Sequence, residues 1–172
     1  MKLVPLKPQH ILGYYKQYQD PEMIKLLDGE VLDSQCEVSQ FINESIENPS
    51  EHDFAIIKNR RFLGIIGIDV LENGKYACIY YWLGQEFRGK GIATSAIKIM
   101  TSYAKNLKVE KLYAFVWPHN RPSISLLIGN GFVRLPETIK TQGNKLGFML
   151  DLYGYEVLES SKLQRIVQKL GF

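Results

Sequence analysis

The sequence predicts an α/β fold, a single domain built on a mixed, mainly antiparallel sheet with flanking helices. Three observations point there. Two runs rich in Ile, Phe and Val flank Asn59-Arg60, and a third follows the Asn73-Gly74 turn, which together read as an antiparallel meander. Beyond it the order is strand, glycine-rich turn, helix, strand, and two strands joined by a helical crossover are normally parallel. The 172 residues are 45% hydrophobic and 23% charged, close to globular averages, so the chain can bury one core.

Each element has a local reason. Residues 2–6 read as a short strand closed by Pro5 and Pro8. Residues 10–18 and 22–27 read as two short helical pieces broken at Asp20-Pro21. Asp33-Ser34 followed by Glu37 resembles a capping box, opening a helix to about Glu47 that stops near Pro49. Its apolar positions Val38, Phe41, Ile42 and Ile46 recur at helical spacing. Then the period changes, and strands are expected over residues 53–58, 61–71 and 76–83. Residues 91–107 return to a helical pattern through Ile92, Ala96, Ile99, Met100 and Tyr103. A strand over 111–117 ends at Pro118, and a short helix over 123–129 is stopped by Gly131. Strands at 132–135 and 146–153 follow, then an amphipathic helix near 157–170 within a tail of residues 155–172. All 172 residues are read as one domain.

Composition narrows the function. The net charge of +3 suits an anionic small ligand, whereas the absence of a long Lys/Arg cluster argues against nucleic acid. No apolar run is long enough to span a bilayer, and the N-terminus lacks a signal-peptide stretch, so a cytoplasmic protein away from membranes is expected. Cys36 and Cys78 form no CxxC pair, and His10, His52 and His119 are scattered, so no metal site is expected.

The informative segment is WLGQEFRGKGIAT, residues 82–94. Gly89 and Gly91 remove side chains where backbone must approach a bulky anion, and permit the positive φ that an anion-binding nest needs. The N–H groups that open the helix, those of Ile92, Ala93 and Thr94, lack internal partners and carry the positive end of its dipole. Arg88 and Lys90 add charge. Together these features describe a pyrophosphate cradle. Gly84-x-x-x-x-Gly89-Lys90 nearly spells a nucleotide-hydrolase loop, but Gly91 stands where Ser or Thr should hold magnesium. A dinucleotide site also fails, because the third glycine is missing and antiparallel strands precede the motif.

Read as Arg-x-x-Gly-x-Ala, residues Arg88, Gly91 and Ala93, the segment resembles the pyrophosphate motif of the GNAT acetyltransferase superfamily. "YYWLGQEFRGKGIATSAIKIM" followed by "KLYAFVWPHNRPSISLLIGNGF" resembles the branch that includes ribosomal-protein N-terminal acetyltransferases. The opening "LVPLKPQHI" and the hairpin "FAIIKNRRFLGIIGI" are similar to that branch too, so the resemblance covers about residues 2–153.

The resemblance implies a central parallel pair of strands, residues 76–83 and 111–117, that splay apart around the pantetheine arm of acetyl-coenzyme A. Trp82 and Leu83 match the position beside the thioester, where a backbone N–H would polarise the acetyl carbonyl. The Trp82 ring itself reads as core. Asn120 matches a pantetheine contact, and Ser123 a proton source for the departing thiolate, although both residue types also favour helix caps. The Tyr that many relatives use as donor falls at Leu127 here, and the Glu that many use as base falls at Cys78. The base therefore stays open among Glu72, Glu86, Glu137, Asp151 and a water chain. Cys78 reads as a buried, inert thiol and His119 as a solvated loop residue. An amine acceptor is implied, either a protein N-terminus or a small molecule, shaped by residues 11–32 and 135–146. Tyr14, Tyr15 and Tyr18 fall in the first of these segments. A homodimer is left open. The competing reading is a coenzyme-A-binding regulatory module with weak catalysis.

Overall fold

The computed structural model describes residues 1–26, 32–71, 73–154 and 158–172. Strand β1 (Lys2–Pro5) leads into α1 (Ile11–Tyr18), α2 (Pro21–Ile24) and α3 (Gln35–Glu47). Strands β2 (Glu51–Lys58), β3 (Arg61–Val70) and β4 (Tyr76–Leu83) follow, then α4 (Ile92–Asn106), β5 (Lys111–Val116) and α5 (Arg121–Gly129). Strands β6 (Val133–Arg134) and β7 (Leu146–Asp151) and helix α6 (Ser160–Lys169) complete the chain. The strand order is β1-β2-β3-β4-β5-β7-β6. β1/β2, β5/β7 and β6/β7 are antiparallel, while β4/β5 is the parallel pair. The expected mixed α/β sheet is therefore present.

Local chemistry sets the helix starts. Ser34 Oγ accepts from the Glu37 N–H at 3.2 Å, and the Glu37 carboxylate accepts from the N–H groups of Ser34 and Asp33, a complete capping box. Such a cap is typically worth about 1 kcal/mol. Pro21 occupies the first position of α2, where its missing N–H costs nothing, and Asp20 caps that helix through the Glu22 N–H at 3.0 Å. Asn59 and Arg60, at φ 50° and 63°, form the two-residue turn that matches strand twist between β2 and β3.

The chain forms two compact units, Met1–Ile68 with Tyr80–Met100, and Asp69–Ile79 with Thr101–Phe172. The first unit packs α1 and α3 through Tyr14, Tyr18, Val38 and Ile42 against Ala55, Ile65 and Trp82. The second packs α6 through Leu163, Ile166, Val167 and Leu170 against Tyr76, Cys78 and Tyr113. Burying a side chain of that size is worth about 1.5–3 kcal/mol, so four on one helical face hold α6 in place.

Several positions depart from the sequence pattern. Ile46 is 53% exposed and Ser45 takes the buried place, because its hydroxyl donates to the buried Asp53 carboxylate at 2.7 Å. Ile99 is likewise exposed, and Ile97 packs inward on α4. Helix α5 starts two residues earlier than expected, with Pro122 in its first turn. Strand β7 stops at Asp151, whose carboxylate takes the N–H groups of Tyr153 and Gly154 and turns the chain. The starts of the expected 155–172 tail and its helix fall partly outside the described residues, as does Leu27.

Candidate active site

Strand β4 ends in a short 3-10 turn, Gln85–Phe87, and the chain then passes through Gly89 and Gly91 into α4. Both glycines adopt the left-handed conformation, at φ 69° and 70°, and a Cβ built on either meets nothing within 4 Å. The space outside the turn is open. The first main-chain bond of α4 runs from the Ser95 N–H to the Gly91 carbonyl at 3.1 Å, so the N–H groups of Ile92, Ala93 and Thr94 precede it. The turn thus has the two left-handed glycines that the spacing predicts, with open space beside them at the start of α4.

The two cations of the turn behave differently. Lys90 lies on the surface and its ammonium donates to the Glu86 carbonyl at 2.6 Å. The Arg88 guanidinium instead turns inward, donating to Asp20 Oδ2 at 2.7 Å and through Nε to the Leu83 carbonyl at 3.0 Å. Arg88 thus ties the end of β4 to the junction between α1 and α2. Gln17 of α1 meets the same region, with its side-chain amide against Gly84 and 3.5 Å from Glu86. Asp20 and Gln17 were not singled out by sequence reasoning, although both lie in the 11–32 segment and the Asp20-Pro21 helix break marked their neighbourhood.

The distinct roles of the two cations give distinct expected outcomes. Lys90→Ala should raise the Michaelis constant for the phosphate-bearing substrate roughly fivefold, the equivalent of about 1 kcal/mol for an exposed charge, and leave kcat unchanged. Arg88→Ala should lower kcat and the melting temperature too, since hydrogen bonds to charged groups are worth about 1.5–3 kcal/mol. Steady-state kinetics and thermal denaturation of both variants check this split.

Trp82 places its ring in the core of the first unit, edge-on to Tyr14 at 4.9 Å and to Tyr18 at 5.5 Å between ring centres. Burial pushes the Tyr14 and Tyr18 hydroxyls above the ordinary tyrosine range, so both stay neutral and structural. Tyr15 is half-buried and donates to the Asp33 carbonyl at 3.2 Å. In the second unit, Asn120 caps α5, with its side-chain oxygen accepting from the Ser123 N–H at 3.2 Å. Ser123 is therefore not the cap; it is the third residue of the helix and is half-buried. Leu127 is fully buried. The structure gathers Trp82, Leu83 and residues 88–94 in the first unit, and Asn120 and Ser123 in the second.

The carboxylates suggested as bases have other commitments. Glu86 makes a two-pronged bond to Arg61 at 2.8 and 2.9 Å. Glu137 is an exposed partner of Arg134. Asp151 pairs at 2.6 Å with Lys111, a lysine buried within the second unit. Glu72 lies outside the described residues. Burial, followed by the charge of Asp69, pushes the Cys78 thiol up to about 12, so it stays protonated and inert. Of residues 135–146, Leu135 and Ile139 are buried, Gly143 packs on the Trp117 ring, and the Lys145 ammonium lies 5.4 Å from that ring's centre. The His119 ring stacks on that of Trp117, 6.1 Å away between ring centres. Among the described residues, no three His, Cys, Asp or Glu side chains group to hold a metal, and no helix is long and apolar enough to cross a membrane.

Comparison with protein families matches residues 1–133 to the acetyltransferase (GNAT) domain. The chain belongs to the GNAT acetyltransferase family. A GNAT chain is an acyltransferase, and the turn at Gly89–Gly91 occupies the motif by which the sequence resembled the family. This GNAT protein is 28% identical over 124 residues to a probable N-acetyltransferase, YjcK, of Bacillus subtilis (strain 168), covering 69% of this chain and 67% of that one. Its fold resembles that of spermidine N-acetyltransferase from Vibrio cholerae, solved with CoA and spermine, at TM-score 0.78 and 17% identity, covering 88% and 95% of the two chains. It also resembles a Salmonella typhimurium acetyltransferase that modifies the N-terminal serine of ribosomal protein L7/L12, at TM-score 0.75 and 18% identity, covering 87% and 93%.

Proposed function

We propose that this GNAT protein moves an acetyl group from acetyl-coenzyme A to a primary amine by direct attack in a ternary complex. The observation that carries the reading is the turn itself: two left-handed glycines, open space beside them, and the N–H groups that open α4 ahead of its first main-chain bond. The pyrophosphate is placed against Gly89, Lys90, Gly91, Ile92, Ala93 and Thr94. The pantetheine arm runs beside β4 past Cys78, where the parallel register with β5 stops. Backbone at Trp82 and Leu83 polarises the acetyl carbonyl, with Arg88 steadying that strand end through the Leu83 carbonyl. Asn120 contacts the pantetheine, and Ser123 protonates the departing sulfur. Residues 1–172 act together as one acetyltransferase domain.

The acceptor is an amine of a protein N-terminus or of a small molecule. Support comes from relatives named for spermidine and for a ribosomal protein's N-terminal serine. A second reading, a coenzyme-A-binding module with weak catalysis, is favoured by the protonated thiol of Cys78 and the buried Leu127. Free-thiol release from acetyl-coenzyme A is measured across polyamines, amino acids, amino sugars and N-terminal peptides. Thiol release matched by acetylated product supports the enzyme; coenzyme A binding without product from any amine favours the module instead.

A further inference from the structure

We propose that Gln17 is a positioning residue for the acetyl transfer, an inference that rests on the Leu83 role proposed above. Its side chain holds the Leu83–Gly84 peptide, and through that peptide the aim of the Leu83 N–H.

Strand geometry sets the direction of that N–H. The Gly84 N–H donates to the Leu63 carbonyl of β3 at 2.9 Å. It shares one planar trans peptide with the Leu83 carbonyl, so the two groups point to opposite edges of β4. Within an extended strand the N–H and C=O of one residue face the same edge, so the Leu83 N–H also points away from β3. Fixing the Leu83–Gly84 peptide therefore fixes the donor. A donor aimed in advance costs no reorganisation when charge develops on the acetyl oxygen.

Three supports hold this peptide, all within the first unit. Leu63 takes its N–H. Arg88 Nε donates to its carbonyl at 3.0 Å, and Asp20 holds the guanidinium at 2.7 Å. Gln17 covers the third side. Gly84 is buried, and a Cβ built on it collides with the Gln17 amide oxygen, lying 2.8 Å from Gln17 Cδ and 3.3 Å from Gln17 Cβ. The amide nitrogen lies 3.5 Å from Glu86, whose two oxygens accept from Arg61 at 2.8 and 2.9 Å. The side chain thus runs from a paired carboxylate to the bare Cα of Gly84. From β3, Gly64 comes just as near: a Cβ there would lie 2.9 Å from Leu83 Cα and 3.0 Å from the Trp82 carbonyl carbon. Gly64 and Gly84 let β3 and α1 close on the main chain around Leu83.

This placement separates turnover from affinity. The pyrophosphate contacts proposed at Gly89–Gly91 are made in ground and transition states alike, whereas the Leu83 contact strengthens as the oxyanion forms. Loosening the peptide should cost turnover and spare cofactor affinity.

The test uses the intact chain, acetyl-coenzyme A and an acceptor found by the amine screen. Gln17→Ala should lower kcat about tenfold, part of the roughly 10²-fold that a 1 Å misplacement costs. The Michaelis constant for acetyl-coenzyme A and the melting temperature should change little. Gly84→Ala should do the same from the other side. Its φ of −55° and ψ of 148° suit alanine, so what gives way is the Gln17 amide. The double variant should be no slower than either single one. Gln17→Met, of similar length, should recover most of the loss, since it keeps the packing over Gly84. A merely structural role would lower the melting temperature and leave kcat alone, and that result overturns the proposal. So does Gln17→Ala turnover within about twofold of the parent, or a double variant whose losses multiply. A parent protein that binds coenzyme A yet acetylates no amine refutes the transferase reading, and this inference falls with it; that outcome is distinct from an active parent indifferent to Gln17.

Discussion

Gly91→Val should abolish calorimetric binding of coenzyme A while leaving the protein folded. The residue sits at φ 70°, and a Cβ built there meets no atom of the chain within 4 Å, so valine has no internal clash to relieve. Its cost to folding is the left-handed strain of a branched side chain, about 1–2 kcal/mol, against a typical domain stability of about 5–15 kcal/mol. A fall of a few degrees in melting temperature is expected. Its cost to binding is of another order, because the branched side chain fills the space given to the pyrophosphate and holds the anion away from the α4 N–H groups. A titration of parent and variant under one set of conditions should show a saturable heat for the parent alone. Retained binding by a folded variant would move the diphosphate away from this turn.

Ser123→Ala should reduce turnover by about 10²–10⁴-fold if its hydroxyl supplies the proton to the departing thiolate. The fold makes this substitution cleaner than the sequence promised. Asn120, not Ser123, caps α5, and the Ser123 group used by that cap is its main-chain N–H, which alanine keeps. Loss of the hydroxyl therefore spares the cap, whereas Asn120→Ala should cost the roughly 1 kcal/mol typical of a lost N-cap. Turnover, the Michaelis constant for acetyl-coenzyme A and melting temperature are measured together. A fall in kcat alone supports the proton role. Unchanged turnover on a confirmed acceptor assigns the proton to solvent.

Much of the fold was legible because its signals are local. The Ser34–Glu37 box, Asn59 and the paired glycines at 89 and 91 each require a conformation that their residue types favour, and each adopts it, whereas Arg60 takes up the left-handed conformation without being a type that favours it. Amphipathic spacing was less secure. It put Ile46 and Ile99 inside, where the structure buries Ser45 and Ile97, because a buried hydroxyl–carboxylate bond and tertiary packing override a periodic stripe. The Gly89–Gly91 turn lies within one continuous segment, and that explains its visibility. Arg88 shows the limit: the sequence reveals a cation in a phosphate motif, but its bond to a carboxylate 68 positions away depends on the folded chain.

The Asp20 carboxylate has an evolutionary consequence. One oxygen caps α2 and the other holds Arg88, so two distant codons share a single structural debt. Replacing either residue strands the other: without Asp20 the guanidinium loses its anion, and without Arg88 the carboxylate keeps only its capping bond. Substitutions at 20 and 88 should therefore be tolerated as compensating pairs more readily than singly, because any change at the α1–α2 junction is felt at the Gly89–Gly91 turn through this one carboxylate.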